Sequence, residues 1–337
     1  MEPPFDHDLP TFIRRSFDLA RLGAGSVSPN PMVGAVLVFE GKIIGEGLHE
    51  KYGSAHAEVN CLSSVSVDNQ RLISRSTLFC NLEPCHHFGK TPPCVDLILA
   101  KKIPRVVISN LDPNPLTAGK SVEKMRRAGI EVTTGILEKE GQHLNRAFFT
   151  WIEKKRPFVI LKWAESVDGF LAKTGERTAI SGPVSQRLSH RWRSEIDAIL
   201  VGTTTALVDD PALSNRYFFG KNPLRIMVDF EKKVPKTARI FDGSAETWVI
   251  EKSDKPLIVN ILEKMTAAGK AILMVEGGRN LLEQFIEAGA WDEARVFVSK
   301  NAIGEGLAAP KLRWAELEST GQIGDDRLDI FRNTAPN

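Results

Sequence analysis

The sequence predicts an α/β protein of two domains, and three observations carry that expectation. The chain has 337 residues, more than one ordinary hydrophobic core organises. Short apolar runs alternate with stretches whose apolar residues recur at helical spacing, the pattern of strands laid down between helices. Near the middle stands the charged run Glu153-Lys154-Lys155-Arg156, closed by Pro157, which reads as a helix stop and a solvated linker. The expected division is a first domain over 1–153 and a second over 154–337.

In the first domain the spacing of Phe12, Ile13, Phe17 and Leu19 predicts a helix over 10–22. The continuous apolar run 32–39 predicts a buried strand, paired through Glu40-Gly41 with a second strand over 42–48. A helix over 55–65 carries His56-Ala57-Glu58. A strand over 76–82 ends at Pro84-Cys85, a helix begins near Cys94, and a strand over 105–109 follows. A helix over 120–128 stops at Gly129, a suitable residue just past a helix end, before a strand over 130–136. Leu144, Phe148, Trp151 and Ile152 then predict one long amphipathic helix over 137–155.

The second domain repeats the alternation. Strands are expected over 158–164, 198–202, 224–230, 247–251 and 271–276, with helices from Val184, over 257–268 and after Gly278. Val184, Leu188 and Trp192 mark the apolar face of the first of these helices. Strand, helix, strand in sequence predicts a mostly parallel sheet.

The chemistry concentrates in His56-Ala57-Glu58, Pro84-Cys85 and Cys94. Both halves of this set fall at strand-to-helix turns, where α/β sheets place ligands. One imidazole and two thiols suit zinc, and three protein ligands leave a fourth position for water. Such a site brings the pKa of water from about 15.7 towards roughly 7. Glu58 is placed to carry protons between that water and a substrate. His-x-Glu followed by Pro-Cys and a second Cys is the zinc-deaminase pattern, usually with two residues between the thiols. Here eight separate Cys85 from Cys94, which a loop tolerates because closure entropy grows slowly with length. Pro92 and Pro93 stiffen the approach and start a helix. Cys94 is then expected at its N-terminus, where the dipole favours a thiolate.

Two other readings use the same residues. Cys80 could complete a closed structural tetrahedron with His56, Cys85 and Cys94, or all four cysteines, Cys61 included, could be core residues. Neither has a use for Glu58. Core packing accounts for Cys61 and Cys80, and a solvated loop is the default for His86 and His87, with a substrate contact left open for one of them. In the second domain Gly277-Gly278, between a strand and a helix, lets backbone N–H groups approach a phosphate. Asp209-Asp210-Pro211 reads by composition as a helix-ending polar turn.

Hydrophobic residues make up 42% of the chain and charged residues 26%, with a formal net charge of +2. That balance is ordinary for a globular protein and too mild for a dedicated nucleic-acid surface. No apolar stretch has the length of a membrane span, and Met1-Glu2-Pro3-Pro4-Phe5-Asp6 has no signal-peptide character. Few cysteines clustered with a histidine point to metal use in a reducing compartment. A cytoplasmic protein without membrane or nucleic-acid partners is expected.

Nearly the whole chain resembles the bifunctional deaminase/reductases of riboflavin biosynthesis. The matching segments are Pro29-Asn30-Pro31-Met32-Val33-Gly34-Ala35-Val36, His56-Ala57-Glu58, the run from Leu82-Glu83-Pro84-Cys85 to Pro92-Pro93-Cys94, and Asp112-Pro113-Asn114-Pro115. In the second half they are Lys162-Trp163-Ala164-Glu165-Ser166-Val167-Asp168-Gly169, Asp209-Asp210-Pro211-Ala212-Leu213 and Val275-Glu276-Gly277-Gly278. The resemblance implies a cytidine-deaminase-like α/β/α sandwich followed by a dihydrofolate-reductase-like α/β domain. It implies zinc and NADPH as cofactors and a small phosphoribosylaminopyrimidine as substrate, in a homo-oligomer. The first domain would hydrolyse the ring amine of 2,5-diamino-6-(5-phosphoribosylamino)pyrimidin-4-one, and the second would reduce the ribosyl chain to ribityl.

Carried onto this sequence, the resemblance gives zinc to His56, Cys85 and Cys94 and proton transfer to Glu58. It places Asn30 and His49 in the pyrimidine pocket. Cofactor contacts fall on Ala164, Ile180, Thr205, Asp209 and the loop Gly278, Arg279 and Asn280. Substrate contacts fall on Lys162, Thr178, Leu213, Arg216 and Glu276, where the Arg216 guanidinium suits a phosphate. Two positions depart from the family pattern: Ile180 replaces a common aromatic residue and Thr178 a common Ser. The alternatives are a zinc deaminase of another base or nucleotide with a non-catalytic second domain, a nucleic-acid base deaminase, and a zinc-stabilised interaction protein.

Overall fold

The computed structural model describes residues 8–88, 92–173 and 178–336. The N-terminal residues 1–6 and the spacer residues 89–91, both read in the sequence, lie outside the described residues. The chain divides into two units, Met1–Lys155 and Arg156–Asn337.

The first unit comprises α1 (Leu9–Arg21), β1 (Gly34–Phe39), β2 (Lys42–Leu48), α2 (Ala57–Ser63), β3 (Thr77–Leu82), α3 (Cys94–Ala100), β4 (Arg105–Asn110), α4 (Lys120–Arg127), β5 (Glu131–Thr134), α5 (Glu138–Leu144) and α6 (Arg146–Glu153). Its sheet runs β2-β1-β3-β4-β5. The β1 strand pairs antiparallel with β2 and β3, while β3, β4 and β5 are parallel. The unbroken apolar run of β1 is explained by cover on both faces. Ala35 and Leu37 enter one core with residues of α2, α3 and α4, and Val36 and Val38 enter another with Phe12, Phe17 and Leu144. This is the period-2 alternation of a strand between two helical layers.

Gly47 sets the position of α2. A Cβ there would lie 2.2 Å from the Cys61 backbone nitrogen and 2.5 Å from the Ala57 oxygen. The helix therefore rests directly on β2, and a side chain at 47 would displace the segment that carries His56 and Glu58.

The single long helix expected over 137–155 is two helices, broken at Asn145. The buried Asn145 side chain pairs with the backbone of Met32: its Oδ1 accepts from the Met32 N–H at 2.9 Å and its Nδ2 donates to the Met32 carbonyl at 2.9 Å. Asn145 takes a non-helical backbone angle in doing so. These bonds satisfy the half-buried Met32 N–H at the strand entry and share its carbonyl with Asn81 Nδ2, which donates to it at 2.9 Å.

The second unit comprises β6 (Phe158–Glu165), β7 (Phe170–Ala172), α7 (Pro183–Glu195), β8 (Ala198–Gly202), α8 (Thr203–Asp209), β9 (Leu224–Val228), β10 (Thr247–Ile250), α9 (Leu257–Ala267), β11 (Ile272–Val275), α10 (Arg279–Glu287), β12 (Glu293–Val298), β13 (Leu307–Ala308), β14 (Ala315–Ile323) and β15 (Asp326–Asn333). The main sheet runs β10-β9-β8-β11-β6-β12-β15-β14. It is parallel from β10 to β12 and antiparallel through β15 and β14. The parallel core was legible from the alternation of elements, while the antiparallel arm was not. The apolar face expected for α7 is also corrected. Val184 is exposed, and the buried positions are Ser185, Ser189, His190, Trp192 and Ser194.

Candidate active sites

The first site forms where β3 ends and where α2 and α3 begin. His56 caps α2 in an extended conformation, which puts Glu58 in the first helical turn. Cys94 opens α3 behind Pro93, so proline occupies the cap and not the first helical position as expected. Ligand atoms of His56, Cys85 and Cys94 all lie within 4.8 Å of one another. His56 Nδ1 is 3.3 Å from Cys94 Sγ and 3.5 Å from Cys85 Sγ, and the Cys94 N–H donates to Cys85 Sγ at 3.2 Å.

This donor set fits zinc. Bonds of about 2.0–2.3 Å in a tetrahedron space the ligand atoms about 3.5 Å apart. Among the described residues no fourth His, Cys, Asp or Glu joins the cluster. Cys80 lies in the hydrophobic core beside β1, as does Cys61, which removes the closed tetrahedron. The Cys85 thiol is pushed down to about 4 by a hydrogen bond from the Cys94 thiol and by His56, against its burial. Cys94, donating that bond and buried, is pushed up. His56 is raised by its hydrogen bond to Cys85.

Glu58 is buried and is not one of the three clustered ligand residues, although its carboxyl hydrogen-bonds the Cys94 side chain. Burial pushes its carboxyl upward, and the charge of Cys85 adds to the shift. His56 and Glu58 share a cavity of about 270 Å³ with Asn30 and His49. The His49 tautomer follows from its partners. Nδ1 faces the Ala55 carbonyl at 3.0 Å and so carries the proton, and Nε2 accepts from Asn30 Nδ2 at 3.2 Å. Burial lowers the pKa of the ring in accord.

The same cavity contains residues for which the sequence suggested no role. Glu83 accepts from the backbone N–H groups of Asp112, Gly119, Ser121 and Val122 at 2.8–3.3 Å. It thereby fixes the loop that brings Asp112 and Asn114 to the cavity wall, and burial pushes Asp112 up to about 6. His87 lines the cavity near Thr117, at 3.4 Å, whereas His86 does not line it. Phe148 also reaches the wall, from α6.

The second site is a cavity of about 640 Å³ at the carboxyl ends of the adjacent strands β8, β11 and β6, the usual ligand position in such sheets. It gathers Lys162, Ala164, Thr178, Ile180, Thr205, Asp209, Leu213, Arg216, Glu276 and Gly278. The side chains of Arg279 and Asn280 are not on its wall: Arg279 donates to Glu283 along α10 at 2.7 Å and Asn280 is exposed, so a cofactor contact there would be made by backbone N–H groups at the start of α10. Asp210 closes α8 in a left-handed turn, leaving Asp209 to the cavity.

Glu276 is the electrostatic centre. Arg193 grips its carboxylate through two bonds, at 3.1 and 2.7 Å, and Lys162 Nζ lies 4.0 Å away. Burial pushes Glu276 up, but Arg193 and Lys162 outweigh it and hold the carboxyl at about 2. Burial lowers Lys162. His190, one turn before Arg193, is pushed down to about 4 by burial and by Arg193 and Arg216. Neither His190 nor Arg193 was singled out in the sequence. Their signal was Gln186, His190 and Arg193 at i, i+4 and i+7, a polar stripe on α7 facing the cavity.

A phosphate-bearing cofactor finds a fitting cradle at Gly277-Gly278. A Cβ on Gly278 would meet Thr205 Oγ1 at 3.2 Å, and one on Gly277 would meet Leu281 Cδ2 at 2.7 Å. The two glycines let the N-terminus of α10 open directly onto the cavity.

Residues 7–110 match the cytidine and deoxycytidylate deaminase zinc-binding region, and residues 157–321 match the RibD C-terminal domain. Fold, sites and matches together define an enzyme of the deaminase–reductase class, with one activity in each half. The riboflavin biosynthesis protein RibD of Aquifex aeolicus is 40% identical over 94% of this chain and 94% of its own. That of Bacillus amyloliquefaciens is 36% identical over 96% and 99%. The crystal structure of a diaminohydroxyphosphoribosylaminopyrimidine deaminase/5-amino-6-(5-phosphoribosylamino)uracil reductase from Thermotoga maritima is similar at a TM-score of 0.91 and 34% identity, covering 97% of this chain and 99% of that one. The chain belongs to the RibD family of riboflavin-biosynthesis proteins. A second half that serves only for binding is not favoured.

Proposed function

We propose that the first unit deaminates 2,5-diamino-6-(5-phosphoribosylamino)pyrimidin-4-one and that the second reduces the ribosyl chain of the product with NADPH. The observation that carries this reading is the grouping of His56, Cys85 and Cys94 with a separate buried Glu58 in a cavity that also holds Asn30 and His49.

His56, Cys85 and Cys94 hold the metal. Zinc supplies a hydrolytic nucleophile near neutral pH when bound there. Glu58, raised by burial, takes a proton and delivers it to the departing amine, the task of a general acid/base with a pKa moved towards the working pH. The neutral His49 fixes the Asn30 amide, which keeps its carbonyl oxygen and one N–H for the edge of the base.

In the second unit NADPH would supply the hydride, and Ala164, Ile180, Thr205, Asp209 and the Gly278 turn, all on the cavity wall, would hold it. Lys162, oriented by Glu276, would be the donor to the reacting chain. Arg216 offers its guanidinium to the phosphate, with Thr178 and Leu213 on the substrate side. The paired Arg193 keeps Glu276 ionised, so Lys162 is held by charge as well as packing.

We also read the protein as a cytoplasmic homo-oligomer. Among the described residues no helix is long and apolar enough to cross a membrane, and two of four unbridged cysteines are spent as metal ligands. The outer strand β14 is exposed at eight of nine positions and ends the sheet, an edge that a second copy could pair with. Sedimentation at several concentrations tests the assembly.

Mass-resolved incubation of the purified full chain with the diaminopyrimidine phosphate tests the function. A gain of about one mass unit is expected without NADPH, and about two more with it. No change without cofactor contradicts the deaminase; no further change with cofactor contradicts the reductase.

A further inference from the structure

The walls of the deaminase cavity are not chemically alike. Asn30, His49, Asp112 and Asn114 are hydrogen-bonding groups, suited to the edge of a base. A pyrimidine also has two flat faces, and proteins that hold single bases cover them with aromatic rings. Phe148 is the phenylalanine on this wall, in the same cavity as Glu58 and His56.

Three features set Phe148 apart from a core residue. It belongs to neither hydrophobic core of the first unit and is half-buried. Phe149 is its aromatic neighbour among the described residues, at 6.2 Å with ring planes 79° apart, so the two rings are not stacked face to face. It also arrives from outside the deaminase zinc-binding region, whose match ends at residue 110.

The placement is fixed and not incidental. Phe148 follows Asn145 by one helical turn, and the Asn145 amide clamps both the N–H and the carbonyl of Met32 at 2.9 Å. Met32 lies two residues from Asn30 on the segment that also brings Pro31 and Val33 to the cavity. The clamp therefore holds the aromatic wall at a set distance from the amide that meets the base edge. The interruption of the long helix at Asn145 is what provides this clamp.

We propose that Phe148 is the stacking wall for the pyrimidine ring, a substrate-binding residue that makes the deaminase site selective for a planar base. This rests on the deaminase reading above. The experiment is calorimetric titration of the zinc-loaded full chain carrying E58Q, which slows turnover, with the diaminopyrimidine phosphate. Adding F148A is expected to weaken binding about fivefold to a hundredfold, the range for one base–aromatic stack. F148Y is expected to restore most of the affinity, and F149A to keep it, with zinc content unchanged in all three. Should F148A lose zinc, F148L takes its place: it fills the wall without a ring and must also weaken binding. Unchanged affinity in F148A or F148L, or F148Y binding as poorly as F148A, would overturn the stacking wall alone. A parent protein that does not bind the pyrimidine at all would remove the deaminase reading, and this inference with it.

Discussion

The two cavities solve the problem of holding a substrate in different ways. The deaminase cavity is small, about 270 Å³, and its reactive groups come from two short stretches joined by a metal's preference for particular atoms. The reductase cavity is larger, about 640 Å³, and draws on the ends of three strands, the α7 stripe and the Gly277-Gly278 turn. In the first, the ligand chemistry dictates residue type and spacing. In the second, the cofactor brings the chemistry, and the protein supplies shape and charge. The first kind of site leaves a motif in the sequence; the second leaves scattered residues whose common address is the carboxyl ends of the central strands.

The comparison predicts that the two activities separate cleanly. E58Q should lower deamination about 10²–10⁴-fold, the usual worth of general acid/base catalysis. Zinc content and reduction of the deaminated substrate should stay as they are. A parallel loss of reduction, read in the same NADPH absorbance assay, would break the separation.

The reductase cavity should instead respond as a charge cluster. E276A removes the partner of two buried cations, Arg193 and Lys162, whose side chains are only 12% exposed. Breaking a buried pair from one side costs about 3–5 kcal/mol. Denaturant unfolding should show that loss in the second half of the chain, with zinc retained in the first. An unchanged midpoint would mean that the cluster is more hydrated than its geometry indicates.

N145A sharpens the contrast from the other side. It leaves the Met32 N–H without its side-chain partner, at about 1–3 kcal/mol, while the Met32 carbonyl keeps the bond from Asn81 Nδ2 at 2.9 Å. It should also loosen pyrimidine binding more than zinc binding, because it frees α6 and not the ligands. Equal losses of both would place the clamp in the metal site's own framework.

The smallest expected effect is one of pH. His190, buried among Arg193, Arg216 and Lys162 with Glu276 opposing them, is held at about 4, below its ordinary 6.5. The folded state thus favours the neutral ring. Its contribution is whole above about pH 6.5 and is lost as pH falls through about 4. H190F should flatten the acid-side decline in stability over that window, while a decline as steep as the parent's would assign it to other groups.

How much of this was legible depends on what each residue answers to. The β1 run, the His56-Glu58 pair and the Cys85 and Cys94 turns answer to local pattern, and their positions follow from the sequence within a residue or two. The break at Asn145 does not, because Leu144, Phe148, Trp151 and Ile152 keep helical spacing across it. Only the distant Met32 backbone explains it. Val184 on α7 was misassigned because spacing favours an apolar stripe, while the buried face instead carries Ser185 and Ser189, and the cavity takes Ser189, His190 and Arg193. The β14 strand was invisible for the opposite reason. Its residues are exposed on both faces, so no alternation marks it, and its pairing with β15 alone defines it.

The central claim is a zinc ion bound by three protein atoms, with Glu58 outside its ligand set. X-ray absorption fine structure at the zinc edge of the loaded full chain tests it most directly. One nitrogen and two sulfur donors from the protein, unchanged by E58Q, is the predicted result. A third sulfur, or a donor that disappears with E58Q, would contradict it.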